Sequence, residues 1–285
     1  MLETFKLLYR SVTSDFKRTR PYPLPRPAEN WDSVFARLPK LHDGESTDHI
    51  TIIHQGEIYP YSAGRLRRLA ALRPWATADI PGPPKSLKST ILRETDRQLK
   101  NLHISHVVYN EPRRIDLPAL NRREDLNIYR LLRAASRIDS HASELAYGGE
   151  MEQSSTLRFY EQHLLHAITF ADMMEFHTGK PARLSEVIAI VQLFIRHIDI
   201  GIVMQSRPDV SSARGSKMSY QQLIAFNEAM LRLPKRAAEL TQASDRPLIL
   251  MNIHTNDCYN RATVREKSGY ILRSMGTALR GFDRS

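Results

Sequence analysis

The stretch from Ser154 to Val203 constrains the fold most, because it holds two consecutive apolar patterns with helical spacing. In each half, apolar residues recur at steps of three and four positions, which places them on one face of a helix. Gly179 and Pro181 separate the halves: glycine often ends a helix, and proline suits the first turn of the next one. The pattern therefore predicts a central antiparallel helix pair over about residues 154–178 and 182–203.

The rest of the chain also favours helices. Apolar stripes of helical spacing follow capping residues such as Ser62 and Ser219. One short segment, residues 49–61, instead alternates β-branched residues around Gln55-Gly56, as a hairpin does. The predicted fold class is mainly α, a multi-helix bundle around the central pair with a small β-hairpin near 49–61.

Proline-rich segments divide the chain into parts. Residues 21–27, PYPLPRP, hold four prolines in seven positions and are predicted to be extended. A second proline cluster within residues 74–84 indicates a linker. The predicted organisation is an N-terminal helix and proline-rich arm over 1–45, a small α+β segment over 46–80 and a helical core domain over 81–285.

The charge of the chain is strongly positive and unevenly distributed. The net charge is +10, with 24 Lys and Arg against 16 Asp and Glu in residues 1–140, 4 against 8 in 141–206, and 13 against 7 in 207–285. Basic flanks around a mildly acidic centre are typical of a scaffold that meets a polyanion. The alternative is that the arginine-rich surface serves only to keep the protein in solution.

Composition also limits the compartment. No run of about 18 apolar residues occurs, so no membrane-spanning segment is expected. The N-terminus lacks a secretory signal but is basic and amphipathic, as mitochondrial targeting helices are, although Glu3 and Asp15 argue against one. A single cysteine, Cys258, excludes an internal disulfide. We expect an intracellular, reducing compartment, the cytoplasm or a virion, with the mitochondrial matrix as the alternative.

The sequence contains no strong catalytic or cofactor motif. It contains no G-x-x-x-x-G-K-[ST], no G-x-G-x-x-G after a strand, no H-E-x-x-H and no G-x-S-x-G. No cofactor is therefore predicted, and the balance leans against an enzyme.

Two groups of residues have spacings that chemistry uses. His163 and His166 have the spacing of metal ligands, although partly buried, hydrogen-bonded histidines are the alternative. His254 and Cys258 have the spacing of an activated thiol, although a buried, unreactive cysteine is the alternative. Four imidazoles in all lie along the predicted central pair, at His163, His166, His177 and His197.

Residues 177–187, HTGKPARLSEV, resemble the first active-site box of tyrosine recombinases, where a Thr-Gly turn precedes an arginine in an R-x-S-E helix start. The resemblance implies that Arg183 holds the scissile phosphate and that Tyr270 is the nucleophile. The chain departs from that family because it lacks an H-x-x-R box.

A second pair of short segments resembles another family. Tyr9-Arg10 and Tyr129-Arg130 are similar to the signature of mitochondrial Leu-Tyr-Arg proteins, which are small helical adapters. That resemblance implies binding to acyl carrier protein.

Taken together, the charge layout and the missing motifs predict a non-enzymatic nucleic-acid-binding protein, for RNA rather than DNA. It would act in a larger assembly, such as a viral nucleocapsid or coat subunit or a ribonucleoprotein, and self-associate through its N-terminal arm. The alternatives are a helical adapter or effector that binds an acidic partner, and a DNA strand-exchange enzyme. The predicted phosphate-binding residues are Arg65, Arg67, Arg68, Arg113, Arg114, Arg122, Arg123, Arg214 and Lys217.

Overall fold

A seven-stranded mixed sheet forms the centre of the protein, and helices cover both of its faces. The prediction of a mainly α bundle is therefore wrong, and the fold is α/β. The structure is a computed structural model that describes residues 30–73, 75–109, 131–132, 135, 155–179 and 183–282.

The strands follow one another along the chain as β1 (Ile50–His54), β2 (Glu57–Pro60), β3 (Trp75–Ile80), β4 (His106–Tyr109), β5 (Thr156–Glu161), β6 (Ile200–Gln205) and β7 (Leu248–His254). Their order across the sheet is β2-β1-β7-β6-β3-β5-β4. Strands β3 to β7 pair in parallel, whereas β1 runs antiparallel to β7 and β2 antiparallel to β1. The sheet thus consists of a parallel core with a hairpin at one edge.

The predicted hairpin near 49–61 is present as β1 and β2. Gln55 and Gly56, which join its strands, have φ angles of 50° and 86°. Two consecutive positive φ angles match the right-handed twist of a two-residue hairpin, and glycine is favoured there because it has no Cβ. The hairpin is not a small addition to a bundle, since β1 also pairs with β7 of the parallel core.

The helices are α1 (Trp31–Arg37), α2 (Ala63–Leu69), α3 (Lys88–Asn101), α4 (Leu164–Thr178), α5 (Leu184–Phe194), α6 (Pro208–Ala213), α7 (Tyr220–Leu240) and α8 (Arg261–Arg280). Ser62 and Ser219 cap α2 and α7 through their side chains, as predicted. Gly179, with φ of 61°, ends α4, also as predicted.

Each half of the predicted central pair contains a strand as well as a helix. The segment 154–178 holds β5 before α4, and Gln162, at φ of 59°, lies between them. The segment 182–203 holds α5, a short 3-10 turn and the greater part of β6. Strands buried on both faces form continuous apolar runs, which periodicity does not distinguish from a buried helix. The central pair over 154–178 and 182–203 is therefore corrected to two strand-and-helix units.

Residues 74–84, predicted as a linker, contain β3, in which every residue after Trp75 is buried. The prolines that indicated a linker therefore bound a central strand. Strands from the predicted segments 46–80 and 81–285 belong to the same sheet.

Two apolar clusters cover the two faces of the sheet. Helices α1, α2, α3 and α8 pack on one face, which we call the α3/α8 face, and α4, α5 and α7 pack on the other, the α4/α7 face. Strand β7 shows the alternation: Ile249 and Met251 belong to the first cluster, and Leu248 and Leu250 to the second. The sheet therefore separates the side chains of the two faces.

Several sequence predictions concern residues outside the described ranges. These are the N-terminal helix and arm, including residues 21–27, and the two Tyr-Arg segments. In the part of the chain that the structure does describe, no helix has the length and apolar character needed to cross a bilayer.

Asp79 joins the end of β3 to the start of α4. It is fully buried, and its carboxylate accepts hydrogen bonds from the backbone N–H of His163, at 3.2 Å, and of Leu165, at 2.7 Å. Helix α4 has no side-chain cap from its own N-cap residue, so Asp79 supplies the acceptors that the helix start needs. Burial raises the pKa of Asp79 to about 6, although these backbone hydrogen bonds act in the opposite direction.

We expect this carboxyl to make stability depend on pH. Its folded-state pKa lies above the reference value of 3.8, so the protonated form favours folding. The contribution is fully present below about pH 4 and is lost as pH rises through about 6. Urea unfolding at several pH values should show this loss in the wild type and not in Asp79→Asn. An identical pH dependence in both proteins would contradict the assignment.

Candidate functional site

Strands β3 and β6 lie side by side in the middle of the sheet, and the chain leaves them in opposite directions. From β3 it continues through α3 to β4 on one side, and from β6 through α6 and α7 to β7 on the other. In open parallel sheets, ligands bind in the crevice at the carboxyl ends of strands where the connections diverge. A ligand is therefore expected to bind at the carboxyl ends of β3 and β6.

The β3–α3 loop, residues 81–87, begins with a close approach to β6. A Cβ atom on Gly82 would lie 2.7 Å from the carbonyl oxygen of Met204 and 2.9 Å from its Cβ, so glycine is required there. Two other loop residues, Lys85 and Leu87, have φ angles of 62° and 64°. Non-glycine residues rarely adopt such angles, and they concentrate at functional sites.

Helix α3 starts at this loop with an N-terminus that no side chain caps. Its N-cap residue, Leu87, gives no side-chain hydrogen bond, and its first turn contains no acidic residue. The Leu87 side chain packs against the apolar cluster of the α3/α8 face. Uncapped N–H groups at a helix start carry partial positive charge and bind anions.

Lys88 adds a full positive charge at the same helix start. It is only 5% exposed, and its Nζ donates to the carbonyl oxygens of Gly82, at 2.8 Å, and Pro83, at 2.7 Å. It also donates to Ser86 Oγ, at 3.3 Å. These three acceptors are neutral oxygens of the loop, and a phosphate oxygen is a stronger acceptor for an ammonium group.

The next residue, Ser89, connects the helix start to β5. Its hydroxyl donates to Oε1 of Glu161, the last residue of β5, which lies opposite Ile80 in the sheet and is 4% exposed. A hydroxyl and a carboxylate are hard oxygen ligands, and Mg²⁺ is commonly held by one or two carboxylates together with substrate phosphates. This donor pair therefore fits Mg²⁺ when phosphates supply further ligands.

A purely protein-held metal site is not seen in the described ranges, since no three or more His, Cys, Asp or Glu side chains are grouped for one. His163 is the N-cap residue of α4. His163 is buried, and its Nδ1 lies 2.9 Å from the carbonyl oxygen of Glu161. His166 and His197 are partly exposed, and the side chain of His177 lies outside the described part.

The segment from Gly82 to Ser89, GPPKSLKS, has the spacing of the G-x-x-x-x-G-K-[ST] phosphate loop except that Leu87 replaces the second glycine. In that motif the loop follows a strand and opens a helix, the lysine reaches the phosphates and the hydroxyl binds Mg²⁺. Lys88 and Ser89 occupy those positions after β3. The segment does not match the motif strictly because Leu87, with its left-handed backbone, stands where the motif has glycine.

Arg214, one of the predicted phosphate-binding residues, lies beside this loop. Its guanidinium donates to the carbonyl oxygens of Thr255, at 2.8 Å, Cys258, at 3.0 Å, and Lys85, at 3.4 Å. It therefore ties the β7–α8 connection to the β3–α3 loop. Lys217, three positions further along, is exposed.

The other predicted phosphate-binding residues do not lie at the β3–α3 loop in the part of the chain that the structure describes. Arg65, Arg67 and Arg68 lie on α2, and the Arg65 guanidinium stacks 3.8 Å from the ring centre of Tyr59 on the edge strand β2. No hydrogen bond or ion pair joins them to Arg214 in the residues that the structure describes. Outside those residues lie Arg113, Arg114, Arg122 and Arg123.

Two further catalytic hypotheses were an activated thiol at Cys258 and a recombinase-like pair of Arg183 and Tyr270. The structure brings together no catalytic group for either in the residues that it describes. Cys258 is buried, and burial, followed by the nearby Asp257, raises the pKa of its thiol, which disfavours the reactive thiolate. Arg183 starts α5 and pairs with Glu186 at 3.2 Å, on the α4/α7 face. Tyr270 lies on α8, on the opposite face, so the sheet separates it from Arg183.

No family model matches the chain, and no curated protein matches its sequence. The function is therefore inferred from the site itself.

Proposed function

We propose that this protein binds a nucleoside triphosphate together with Mg²⁺ at the β3–α3 loop. The observation that carries the proposal is the succession of a glycine packed closely against β6, a buried lysine and a serine at the start of α3, with the hydroxyl of Ser89 bonded to Glu161. These features occur at the point of the sheet where ligands of parallel α/β folds bind.

Each residue has a definite role in this proposal. The N–H groups at the start of α3 bind phosphate oxygens. The ammonium group of Lys88, which donates to loop carbonyl oxygens in the free protein, donates instead to the terminal phosphates when the ligand is bound. Ser89 and Glu161 hold the metal ion. Mg²⁺, when bound, neutralises charge on the phosphate chain.

Several phosphates in a row suit the site better than one. The helix start and Lys88 supply two centres of positive charge, and Mg²⁺ on Ser89 and Glu161 would supply a third. All three recognise phosphate oxygens and none recognises a base. The matching probes are therefore Mg·ATP, Mg·GTP and Mg·tripolyphosphate, which share the phosphate chain and differ in the base.

The proposal is tested through Ser89 and Glu161, the two residues proposed to hold the metal ion. We expect wild-type protein to bind ATP at least about tenfold more tightly with Mg²⁺ than with EDTA, because the ion bridges protein and phosphates. Glu161→Gln should remove most of this difference while keeping the Mg²⁺-free affinity. Calorimetric titration of both proteins, with and without Mg²⁺, measures the effect.

A matched control is Glu239→Gln, which removes an exposed carboxylate on α7. This variant should keep the full Mg²⁺ dependence, and thermal unfolding should show that both variants are folded. Wild-type affinity that is equal in Mg²⁺ and EDTA, or Mg²⁺ dependence that survives in Glu161→Gln, would sink the proposal.

Nucleic-acid binding, predicted from the charge layout, remains a separate prediction. The phosphate-binding role proposed for Lys88 does not require it, and of the residues predicted for it Arg214 alone is seen to contact the β3–α3 loop in the described ranges.

A further inference from the structure

A second charged site lies at the opposite end of β3 from the β3–α3 loop. Asp199, which precedes β6 and is 2% exposed, accepts hydrogen bonds from Arg73, at 2.7 Å, and Arg246, at 3.3 Å. The guanidinium groups of Arg73 and Arg158 lie 5.6 Å and 5.8 Å from the ring centre of Trp75. We call this group the amino-edge cluster: Arg73, Trp75, Arg158, Asp199 and Arg246.

Positive charge is in excess within this cluster, because it holds three guanidinium groups and one carboxylate, that of Asp199, which binds Arg73 and Arg246. One further carboxylate, that of Asp245, acts on Arg246 from outside the cluster. Arg158 makes no hydrogen bond or ion pair with a described residue, and its guanidinium lies over the ring of Trp75. Burial, and after it the charge of Arg73, lowers the pKa of the Arg246 guanidinium, although Asp199 and Asp245 act in the other direction. Like charges held this close together favour a bound anion.

The hydrogen bonds of the cluster are also incomplete. The Nε atoms of Arg73, Arg158 and Arg246 are all buried and have no hydrogen-bond partner within the protein. A buried donor without an acceptor is unfavourable, so three in one cluster point to acceptors supplied from outside. The planar donors of guanidinium groups match the oxygens of phosphate.

Trp75 supplies a different kind of contact. Its ring is partly exposed and has arginines within cation–π distance, at Arg73 and Arg158. Proteins that bind single-stranded nucleic acid combine such arginines with aromatic rings on which bases stack. An acidic peptide would use the arginines but would leave the ring without a stacking partner.

We infer that the amino-edge cluster is a second anion-binding site, which takes the sugar–phosphate backbone of a single-stranded nucleic acid and places a base against Trp75. The site is independent of the proposed nucleotide site, because β3 separates them by six residues, or roughly 20 Å. Its three arginines are not among those that the charge layout predicted.

Tryptophan fluorescence tests this inference. The chain contains two tryptophans, so in Trp31→Phe the emission comes from Trp75 alone. This substitution keeps an aromatic ring beside Phe35 and removes the Nε1 hydrogen bond to the carbonyl oxygen of Arg73. We expect oligouridylate or oligothymidylate, added without nucleotide or Mg²⁺, to quench this emission. With three phosphate contacts, affinity should fall about 20-fold between about 50 and 200 mM salt.

Substitutions in the same background locate the effect. Arg158→Gln should weaken binding by about tenfold, and Arg158→Lys, which keeps the charge, should recover most of it. The matched control is Arg232→Gln, whose guanidinium stacks on Phe176, 4.8 Å from the ring centre, on the α4/α7 face. It should bind like the parent, and thermal unfolding should show all variants folded.

The outcomes separate the possibilities. Quenching by both oligonucleotides supports the site, and a difference between them identifies RNA or DNA as the better ligand. No quenching by either, equal affinity in Arg158→Gln, or quenching by polyglutamate but not by oligonucleotides overturns the inference. Because no nucleotide is present, failure here leaves the Mg²⁺ test of the β3–α3 loop unaffected.

Discussion

Lys88→Met is expected to weaken binding of Mg·ATP and Mg·GTP by at least about 100-fold, because it removes charge-assisted hydrogen bonds to the phosphates. Methionine is similar in length and apolar, so it fills the buried position without the charge. Mg·tripolyphosphate should lose affinity to the same degree, since Lys88 contacts phosphate rather than base in this account. Equilibrium titration with the three ligands measures the effect.

Lys85→Met is the matched control, because Lys85 lies in the same loop and is exposed. It removes the same charge from the protein and should change affinity by less than about threefold. If Lys88→Met also stays within about threefold of the wild type while remaining folded, the buried lysine does not bind phosphate.

Asp199→Ala is expected to lower the free energy of unfolding by about 3–5 kcal/mol, because it leaves two largely buried guanidinium groups without their carboxylate. It also removes the acceptor for the backbone N–H of Thr77, 2.9 Å away. Urea unfolding, followed by circular dichroism, measures the change. The variant should still bind oligouridylate at least as tightly as the parent under conditions where it is folded, since the cluster becomes more positive.

Glu239→Ala serves as the control for this prediction. The Glu239 side chain is 44% exposed and pairs with Arg236, which also binds Asp172. Exposed pairs contribute little, so the loss should stay below about 1 kcal/mol. An equally small loss in Asp199→Ala would mean that the amino-edge arginines do not depend on Asp199.

Local chemistry made some elements predictable from sequence. The hairpin follows from a Gln-Gly pair that accepts two positive φ angles, and the start of α7 follows from Ser219 with Gln222, which form a capping box. Such signals lie within a few residues of the element that they specify.

The central strands were not predictable in the same way. Phe159 and Tyr160 are neighbours that are both buried, one against the α3/α8 face and the other against the α4/α7 face. A strand buried on both sides has no polar face, so its sequence matches a buried helix equally well. Only the pairing of this segment with β3 and β4 in the sheet shows that it is a strand.

The candidate site likewise contains residues that the sequence could predict and residues that it could not. Gly82, Lys88 and Ser89 lie together in the sequence and could be found by spacing once Leu87 is accepted at a left-handed position. Glu161 lies 72 residues after Ser89, and Asp199 lies 126 after Arg73. Such partners meet only because parallel strands bring their ends to one edge of the sheet, so no local rule pairs them.

Amide hydrogen exchange at the end of the β3–α3 loop and the start of α3 tests the central claim most directly, because the backbone N–H groups at the start of α3 are the proposed phosphate ligands. With Mg·ATP at about ten times the wild-type Kd, which lies below the Kd expected for Lys88→Met, we predict slower exchange at Gly82, Lys85, Ser86, Leu87 and the first turn of α3 in the wild type. Lys88→Met should show little change at that concentration. Unchanged exchange in this segment at saturating nucleotide, or the same protection in Lys88→Met, would contradict the account.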